Sequence, residues 1–272
     1  MQGYLNEVIM LENLDKYFKD RGLLLAEVVE TIKRNVQCNF AYIGGSIVYG
    51  INNIYSDIDI LAIVDDSYNQ LPAQLTQFEI KGIRVDCRTI SISKLKSVID
   101  NILKKAAIIA DNKNPFRIGL RNDEHEALDR ISNGICIHGT EFKYKNYNDS
   151  LSLILTFDRV NDFFGMYQDT VGALLSRHHY YTYTRMIECA SKLVDIFLSS
   201  KKYINPSVKS RVLVLEKFYP NNSITLWYKS LLENINILNT SDDEMCNHLR
   251  KMNLMIIDFQ LDKLKMIEAY HG

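Results

Sequence analysis

The sequence predicts a mixed α/β (α+β) domain with a small mixed sheet over residues 1–147, followed by an all-α helical bundle over residues 148–272. Two observations support this division. Short β-branched and aromatic runs occur between residues 39 and 90, and beyond about residue 148 such strand signals stop. From there, apolar residues recur at helical spacing between turn clusters such as NP and PNNS.

The first half is predicted to start with two helices between Leu11 and Asn35, separated at Gly22. The run NFAYI is too short for a helix and indicates a buried strand, and DIDILAIV indicates a central strand. The segment QLTQFEIKGIRVDCRTI alternates polar and apolar residues on both sides of Lys81 and Gly82, which predicts a hairpin. Helical spacing then returns over 91–109 and 123–133.

The second half is predicted to be helical throughout, without internal repeats or low-complexity linkers. The predicted helices cover 149–176, 182–200, 206–219, 223–237 and 242–270.

Composition narrows the class of function. The chain has 32 basic and 33 acidic residues, so it lacks the overall positive charge that would gather long nucleic acids. Its five cysteines show no spacing typical of a disulfide framework or a zinc site. No signal peptide or membrane-spanning run is visible. These observations predict a cytoplasmic protein with a small-molecule partner, no membrane association and no nucleic-acid partner; they leave the oligomeric state open.

A predicted phosphate-binding loop follows the first strand. Gly44 and Gly45 leave backbone amides unobstructed where a brief helix or turn begins, and Ser46 adds a hydroxyl. Amide groups that converge in this way bind phosphate oxygens. The sequence therefore predicts that a nucleotide binds at these three residues.

A predicted metal site follows about ten residues later. Asp57 and Asp59 are two positions apart on the predicted strand, so both carboxylates project from one face. Asp86 can supply a third carboxylate if its strand lies beside the first. Oxygen ligands of this kind suit Mg²⁺, and two such ions support in-line displacement at phosphorus. In the plainer interpretation, Asp86 is an exposed strand residue paired with Arg84 or Arg88.

The pattern GGS, about ten residues, then SDIDI resembles the DNA polymerase beta-like nucleotidyltransferases. The helical second half is similar to that of bacterial two-domain members, such as the aminoglycoside nucleotidyltransferases. The resemblance implies that Gly45 and Ser46 bind the triphosphate, and that Asp57, Asp59 and Asp86 hold two Mg²⁺ ions. Many antibiotic-modifying relatives have an arginine before the glycine that ends the loop, whereas this chain has Tyr49 before Gly50.

The helical half offers further candidates. Asp158, Asp162 and Asp169 form one stripe opposite an apolar face, which is more often solvated than catalytic. The resemblance implies that Asp162 is the general base, and Lys192 and Lys209 are candidate triphosphate contacts. Arg185, Glu188, Lys192, Asp195 and Ser199 form a polar strip on the next predicted helix, and this strip is either a ladder of structural ion pairs or the wall of a cleft.

The resemblance implies transfer of a nucleoside monophosphate, with ATP the expected donor, to a hydroxyl of a small polar acceptor. Two alternatives stay open. One is adenylylation of a protein, as in toxin/antitoxin pairs, whose nucleotidyltransferases are usually much shorter. The other is a module that binds a nucleotide without catalysis.

Overall fold

The computed structural model describes residues 7–68, 75–111, 121–144, 146–204, 210–234 and 240–271. The chain divides into two compact units. The first unit comprises Met1–Lys104 and Leu120–Asn148, and the second comprises Lys105–Gly119 and Asp149–Gly272.

The first unit contains a five-stranded sheet together with helices. Its elements in chain order are α1 (Glu7–Asp20), α2 (Leu25–Asn35), β1 (Phe40–Gly44), β2 (Ile58–Val64), β3 (Leu75–Ile80), β4 (Ile83–Ser91), α3 (Ile92–Ala110), whose last turns belong to the second unit, α4 (Asn122–Asn133) and β5 (Ile135–His138). Each strand and helix predicted for this part of the sequence is present.

The sheet has the strand order β3-β4-β2-β1-β5. β2 and β4 are parallel, and the other neighbouring pairs are antiparallel. The predicted hairpin joins β3 to β4 through Lys81 and Gly82, whose φ angles are +51° and +78°. Two consecutive positive φ angles are typical of the tight turns that match strand twist. The hairpin prediction is therefore confirmed.

β2 is the central strand, since it is the third of the five strands in the sheet. All its residues except Asp59 are buried. Apolar residues of α1 and α2 pack in the same core, among them Leu14, Phe18, Val28 and Ile32. β5 was not predicted from the sequence. It has only four residues, ICIH, and a run this short carries too little periodicity to be recognised.

The second unit is helical, as predicted. Its main helices are α5 (Asn148–Leu175), α6 (His179–Ser200), α7 (Arg211–Phe218), α8 (Ser223–Asn234) and α9 (Asp242–His271). The helix predicted over 206–219 begins at Arg211 in the structure, and residues 205–209 lie outside the described ranges. Within the described ranges, no helix has both the length and the apolar character needed to span a membrane.

Candidate active site

The glycine loop leaves β1 at Gly44 and turns sharply. Gly45 and Gly50 have φ angles of +72° and +60°, which favour glycine over residues with a side chain. Residues 45–50 form turns, and the Gly50 amide donates to the Ile47 carbonyl at 2.9 Å. Of the two local structures predicted here, a turn is therefore present, and no helix dipole is available to a bound phosphate. The candidate phosphate donors are the loop amides and the Ser46 hydroxyl.

Helix α1 and the residue that follows it hold the loop in place through three side chains. Asn13 donates to the carbonyl of Val48 at 2.9 Å, Tyr17 to that of Ser56 at 2.7 Å, and Arg21 to that of Asn53 at 2.8 Å. Sequence patterns give no sign of these contacts because the partners lie more than 30 residues apart. The segment between the glycines and the first aspartate is thereby attached to a helix of the core.

The predicted carboxylates meet at one end of the parallel strand pair. Asp59 on β2 is aligned with Asp86 on β4 and, across the antiparallel pair, with Gly44 on β1. Asp57 immediately precedes β2. A Cβ atom added to Gly45 would collide with Oδ2 of Asp59. The structure therefore places the loop backbone directly against a carboxylate, with the other two aspartates beside it.

Arg84 links two of the three carboxylates. Its Nη2 lies 2.6 Å from Oδ2 of Asp57 and 2.9 Å from Oδ2 of Asp86. Gln77 donates to the other oxygen of Asp86 at 3.0 Å. The pairing with Arg84 anticipated by the plainer interpretation of Asp86 is thus present, but the same arginine also binds Asp57. More than half of the Arg84 side-chain surface is exposed, so the arginine can move into solvent without disturbing the core.

The third carboxylate is paired with a buried arginine of α4. Nη2 of Arg130 donates to Oδ1 of Asp59 at 2.7 Å, and Nη1 donates to the Ile60 carbonyl at 2.9 Å. Burial raises the pKa of Asp59, Arg130 lowers it, and the charges of Asp57 and Asp86 raise it further. The mutual repulsion of the three carboxylates follows from their closeness, since Arg84 touches both Asp57 and Asp86 and Asp59 is aligned with Asp86.

The residue before Arg130 contacts the loop. Asp129 is buried, and it accepts hydrogen bonds from the Tyr49 hydroxyl at 3.1 Å and from Asn133 at 3.0 Å. Burial raises the pKa of Asp129 to about 6, and the two hydrogen bonds oppose that rise. Tyr49 is therefore an anchor of the loop.

The donor set has the right chemistry for a divalent cation, since it consists of three carboxylates with no sulfur or imidazole ligand. Among the described residues, however, no group of three or more His, Cys, Asp or Glu side chains is arranged so that it could hold a metal ion. Arg84 occupies the space between Asp57 and Asp86, and Arg130 takes one oxygen of Asp59.

The remaining site predictions fall in the helical half. Asp162 on α5 and Lys192 on α6 both belong to the second unit, where Lys192 Nζ lies 3.8 Å from Oδ2 of Asp162. Lys209 lies outside the described residues. The predicted roles of these residues remain predictions.

The polar strip on α6 makes ion pairs within the second unit. Arg185 pairs with Glu188 at 2.7 Å, and Asp195 is bound by both Nε and Nη2 of Arg211. With the pair that Lys192 makes, these contacts agree with the ladder interpretation of the strip.

Comparisons with known proteins identify the class of the first unit. Residues 25–109 match the model of the nucleotidyltransferase domain family. This segment runs from α2 through nearly all of α3 and contains the glycine loop and all three clustered aspartates. Residues 25–109 therefore resemble a nucleotidyltransferase domain, which supports the enzyme class that the sequence predicts.

Comparisons with solved structures and with curated proteins do not narrow the class further. A crystal structure of a nucleotidyltransferase-like protein from Exiguobacterium sibiricum 255-15 is similar with a TM-score of 0.48 and 13% identity, over 88% of this chain and 78% of that one. A similarity of this size carries no argument about substrate. No curated protein matches the sequence.

Proposed function

We propose that this enzyme transfers a nucleoside monophosphate from a nucleoside triphosphate, with ATP as the donor, to a hydroxyl group of a small polar acceptor. Pyrophosphate is released. The single observation that supports the proposal most strongly is the contact between the Gly45 backbone and the Asp59 carboxylate, with Asp86 aligned beside it. Phosphate donors and cation ligands are thus adjacent, as phosphoryl chemistry requires.

In the proposed reaction, the loop amides and the Ser46 hydroxyl bind phosphate oxygens of the donor. Asp57, Asp59 and Asp86 would hold Mg²⁺, which supplies charge neutralisation at the phosphates and a lower pKa for the acceptor hydroxyl. Arg84 has to leave Asp57 and Asp86 so that their oxygens can serve as ligands. A bond forms between the acceptor oxygen and the α-phosphorus, and the bond from that phosphorus to the bridging oxygen of pyrophosphate breaks.

The proton of the acceptor hydroxyl needs a base, and Asp162 is the proposed one. An Asp162→Asn enzyme should then lose turnover while its KM for the nucleotide stays within about twofold. Unchanged turnover would rule out Asp162 as the base.

A small hydroxylated acceptor is favoured because the chain has a net charge of −1 and offers no excess of positive charge to a polyanion. ATP labelled at the α-phosphate, supplied with Mg²⁺, tests the proposal against panels of small hydroxylated compounds and of purified proteins. Label on a small acceptor, with pyrophosphate release, supports it. Label on proteins alone would favour protein adenylylation, and no pyrophosphate with any acceptor would favour a binding module.

The site assignment is tested by Asp59→Asn, which should reduce transfer by roughly a thousandfold because a ligand to the reacting phosphates is lost. Asp65→Asn is the matched control. Asp65 follows the opposite end of the same strand and accepts a hydrogen bond from Asn39 at 3.0 Å, far from the glycine loop. Equal activity in the two variants would place the active site elsewhere.

A further inference from the structure

We propose that Arg130 is a positioning residue that determines which oxygen of Asp59 faces the glycine loop, and that its neighbour Asp129 fixes the loop itself through Tyr49. The inference rests on the proposed function. It assigns a role to α4, which lies outside the segment that matches the nucleotidyltransferase family model.

The two oxygens of Asp59 have different surroundings. Oδ1 accepts the hydrogen bond from Nη2 of Arg130, whereas Oδ2 is the atom that a Cβ at Gly45 would strike. A carboxylate held at one oxygen cannot rotate freely about its Cβ–Cγ bond. Oδ2 is thereby directed at the loop, where the phosphates of the donor would lie.

Besides its contact with Asp59, Arg130 is held at two points, which makes it a firm reference for Asp59. Nη1 donates to the backbone carbonyl of Ile60, and the residue is 7% exposed. Gly44 leaves room for its aliphatic part, because a Cβ there would lie 2.8 Å from Cγ of Arg130. The aliphatic part of Arg130 therefore packs against β1, and its guanidinium is bound to the backbone of β2.

Asp129 and Arg130 are consecutive, yet they contact different halves of the site. Asp129 accepts a hydrogen bond from the hydroxyl of Tyr49, which lies in the glycine loop. Arg130 donates a hydrogen bond to the Asp59 carboxylate on β2. One turn of α4 thus sets the distance between the phosphate donors and the carboxylate. Removal of a side chain that hydrogen-bonds to a metal ligand typically weakens metal binding 10- to 100-fold.

The positioning role and a role in charge balance alone predict opposite results. If Arg130 only offsets negative charge, its removal strengthens cation binding, and Arg130→Lys behaves like the wild type. If it positions Asp59, both Arg130→Met and Arg130→Lys weaken binding, because neither side chain offers the planar pair of donors that reaches Asp59 and Ile60 together. Methionine retains much of the packing volume against Gly44.

The experiment measures binding of the complex of Mn²⁺ with inorganic tripolyphosphate to the full chain by isothermal titration calorimetry, without any turnover. Arg130→Met and Arg130→Lys should each weaken binding by about tenfold or more. Tyr49→Phe, which removes one hydrogen bond to Asp129, should weaken it by roughly two- to fivefold. Arg211→Met removes a buried arginine of the second unit and should leave binding unchanged at temperatures where the variant is folded.

Binding of Arg130→Lys at or above wild-type strength, when Asp59→Asn binds weakly, overturns the inference and leaves the proposed function intact. If Asp59→Asn binds as tightly as wild type, or if wild type does not bind the complex, the proposed site is wrong and the inference fails with it. Since Arg130→Met can reduce stability, urea unfolding of each variant identifies the conditions under which it is folded, and Arg130→Lys supplies the second measurement.

Discussion

Each unit contains a buried arginine paired with an aspartate, and the two pairs differ in one respect. Arg211 binds both oxygens of Asp195, and both side chains are at most one-tenth exposed. Arg130 binds only one oxygen of Asp59, whose side chain is 27% exposed. We call the pair in the second unit closed, because both carboxylate oxygens are bound by the arginine. The pair in the first unit is open, because the second oxygen of Asp59 faces the glycine loop.

This difference separates a structural ion pair from a candidate ligand better than burial or charge does. A buried carboxylate whose two oxygens are both bound by a buried arginine stabilises the packing around it and offers nothing to a ligand. A carboxylate with one oxygen held and the other directed at a loop is oriented and still able to bind. Substitutions at five positions test this comparison.

Arg211→Met should have the largest effect, because it leaves Asp195 as a buried unpaired charge. We expect a loss of about 4 kcal/mol in the free energy of unfolding. Urea denaturation monitored by circular dichroism measures it. Arg130→Met should cost about half as much, since solvent reaches the Asp59 carboxylate. Equal losses in both variants would contradict the distinction between a closed and an open pair.

Gly45→Ala should reduce nucleotidyl transfer by roughly a hundredfold, since the new methyl group displaces the Asp59 carboxylate from the loop. Gly82→Ala is the matched control. Gly82 also has a positive φ, but nothing lies within 4 Å of an added Cβ, so this variant reports backbone strain alone. Comparison of the initial rates of the two variants distinguishes the effect of the collision with Asp59 from that of backbone strain. Similar losses would show that the contact with Asp59 does not matter.

Asp129→Asn should remove part of the pH dependence of stability. Burial raises the pKa of Asp129 from 3.8 to about 6, so between these values the folded protein retains a proton that the unfolded chain releases. Stability from this group is therefore present at low pH and decreases as pH rises through about 4 to 6, by on the order of 2 kcal/mol. Urea unfolding at pH 4 and pH 6.5 should show a smaller decrease in the variant. An identical decrease would indicate that Asp129 titrates normally.

Arg84→Ala should have the smallest effect and the opposite sign to substitution of Arg130. Arg84 competes with a cation for Oδ2 of Asp57 and Oδ2 of Asp86, so its loss should tighten binding of Mn²⁺ alone by roughly two- to fivefold. Electron paramagnetic resonance of free Mn²⁺ measures the change. Arg88→Ala, which removes a neighbouring arginine paired with Glu126, is the control. Weaker binding in Arg84→Ala would show that this arginine supports the site.

Much of the fold could be predicted from the sequence because its signals are local. The turn at Lys81 and Gly82 and the alternation of β4 lie within 20 residues of one another, and the helices show regular apolar spacing. The three aspartates could be selected by type and by strand period. Asp86 lies beside Asp59 because β2 pairs with β4. The sequence does not predict this pairing, so it predicts Asp86 as a ligand only if the two strands are neighbours.

The residues that support the site could not be predicted, because they act over long distances in the chain. Arg130 is 71 residues from Asp59, and Asp129 is 80 residues from Tyr49. Neither Asp129 nor Arg130 belongs to a recognisable sequence motif. The spacing of apolar residues along α4 does not indicate that these two charged residues are buried. The sequence suggests Arg84 as a partner for Asp86 only, because its second contact, with Asp57, depends on the pairing of β2 with β4.

The contact between Gly45 and Asp59 has a thermodynamic consequence for the order in which ligands associate. A negative carboxylate that touches a loop meant for phosphate repels a bare polyphosphate, so the loop by itself is a poor anion receptor. Affinity for the nucleotide and affinity for the cation must then rise together, each by the same factor, because such linkage is reciprocal. The apparent dissociation constant of the nucleotide should accordingly decrease as the concentration of divalent ion rises.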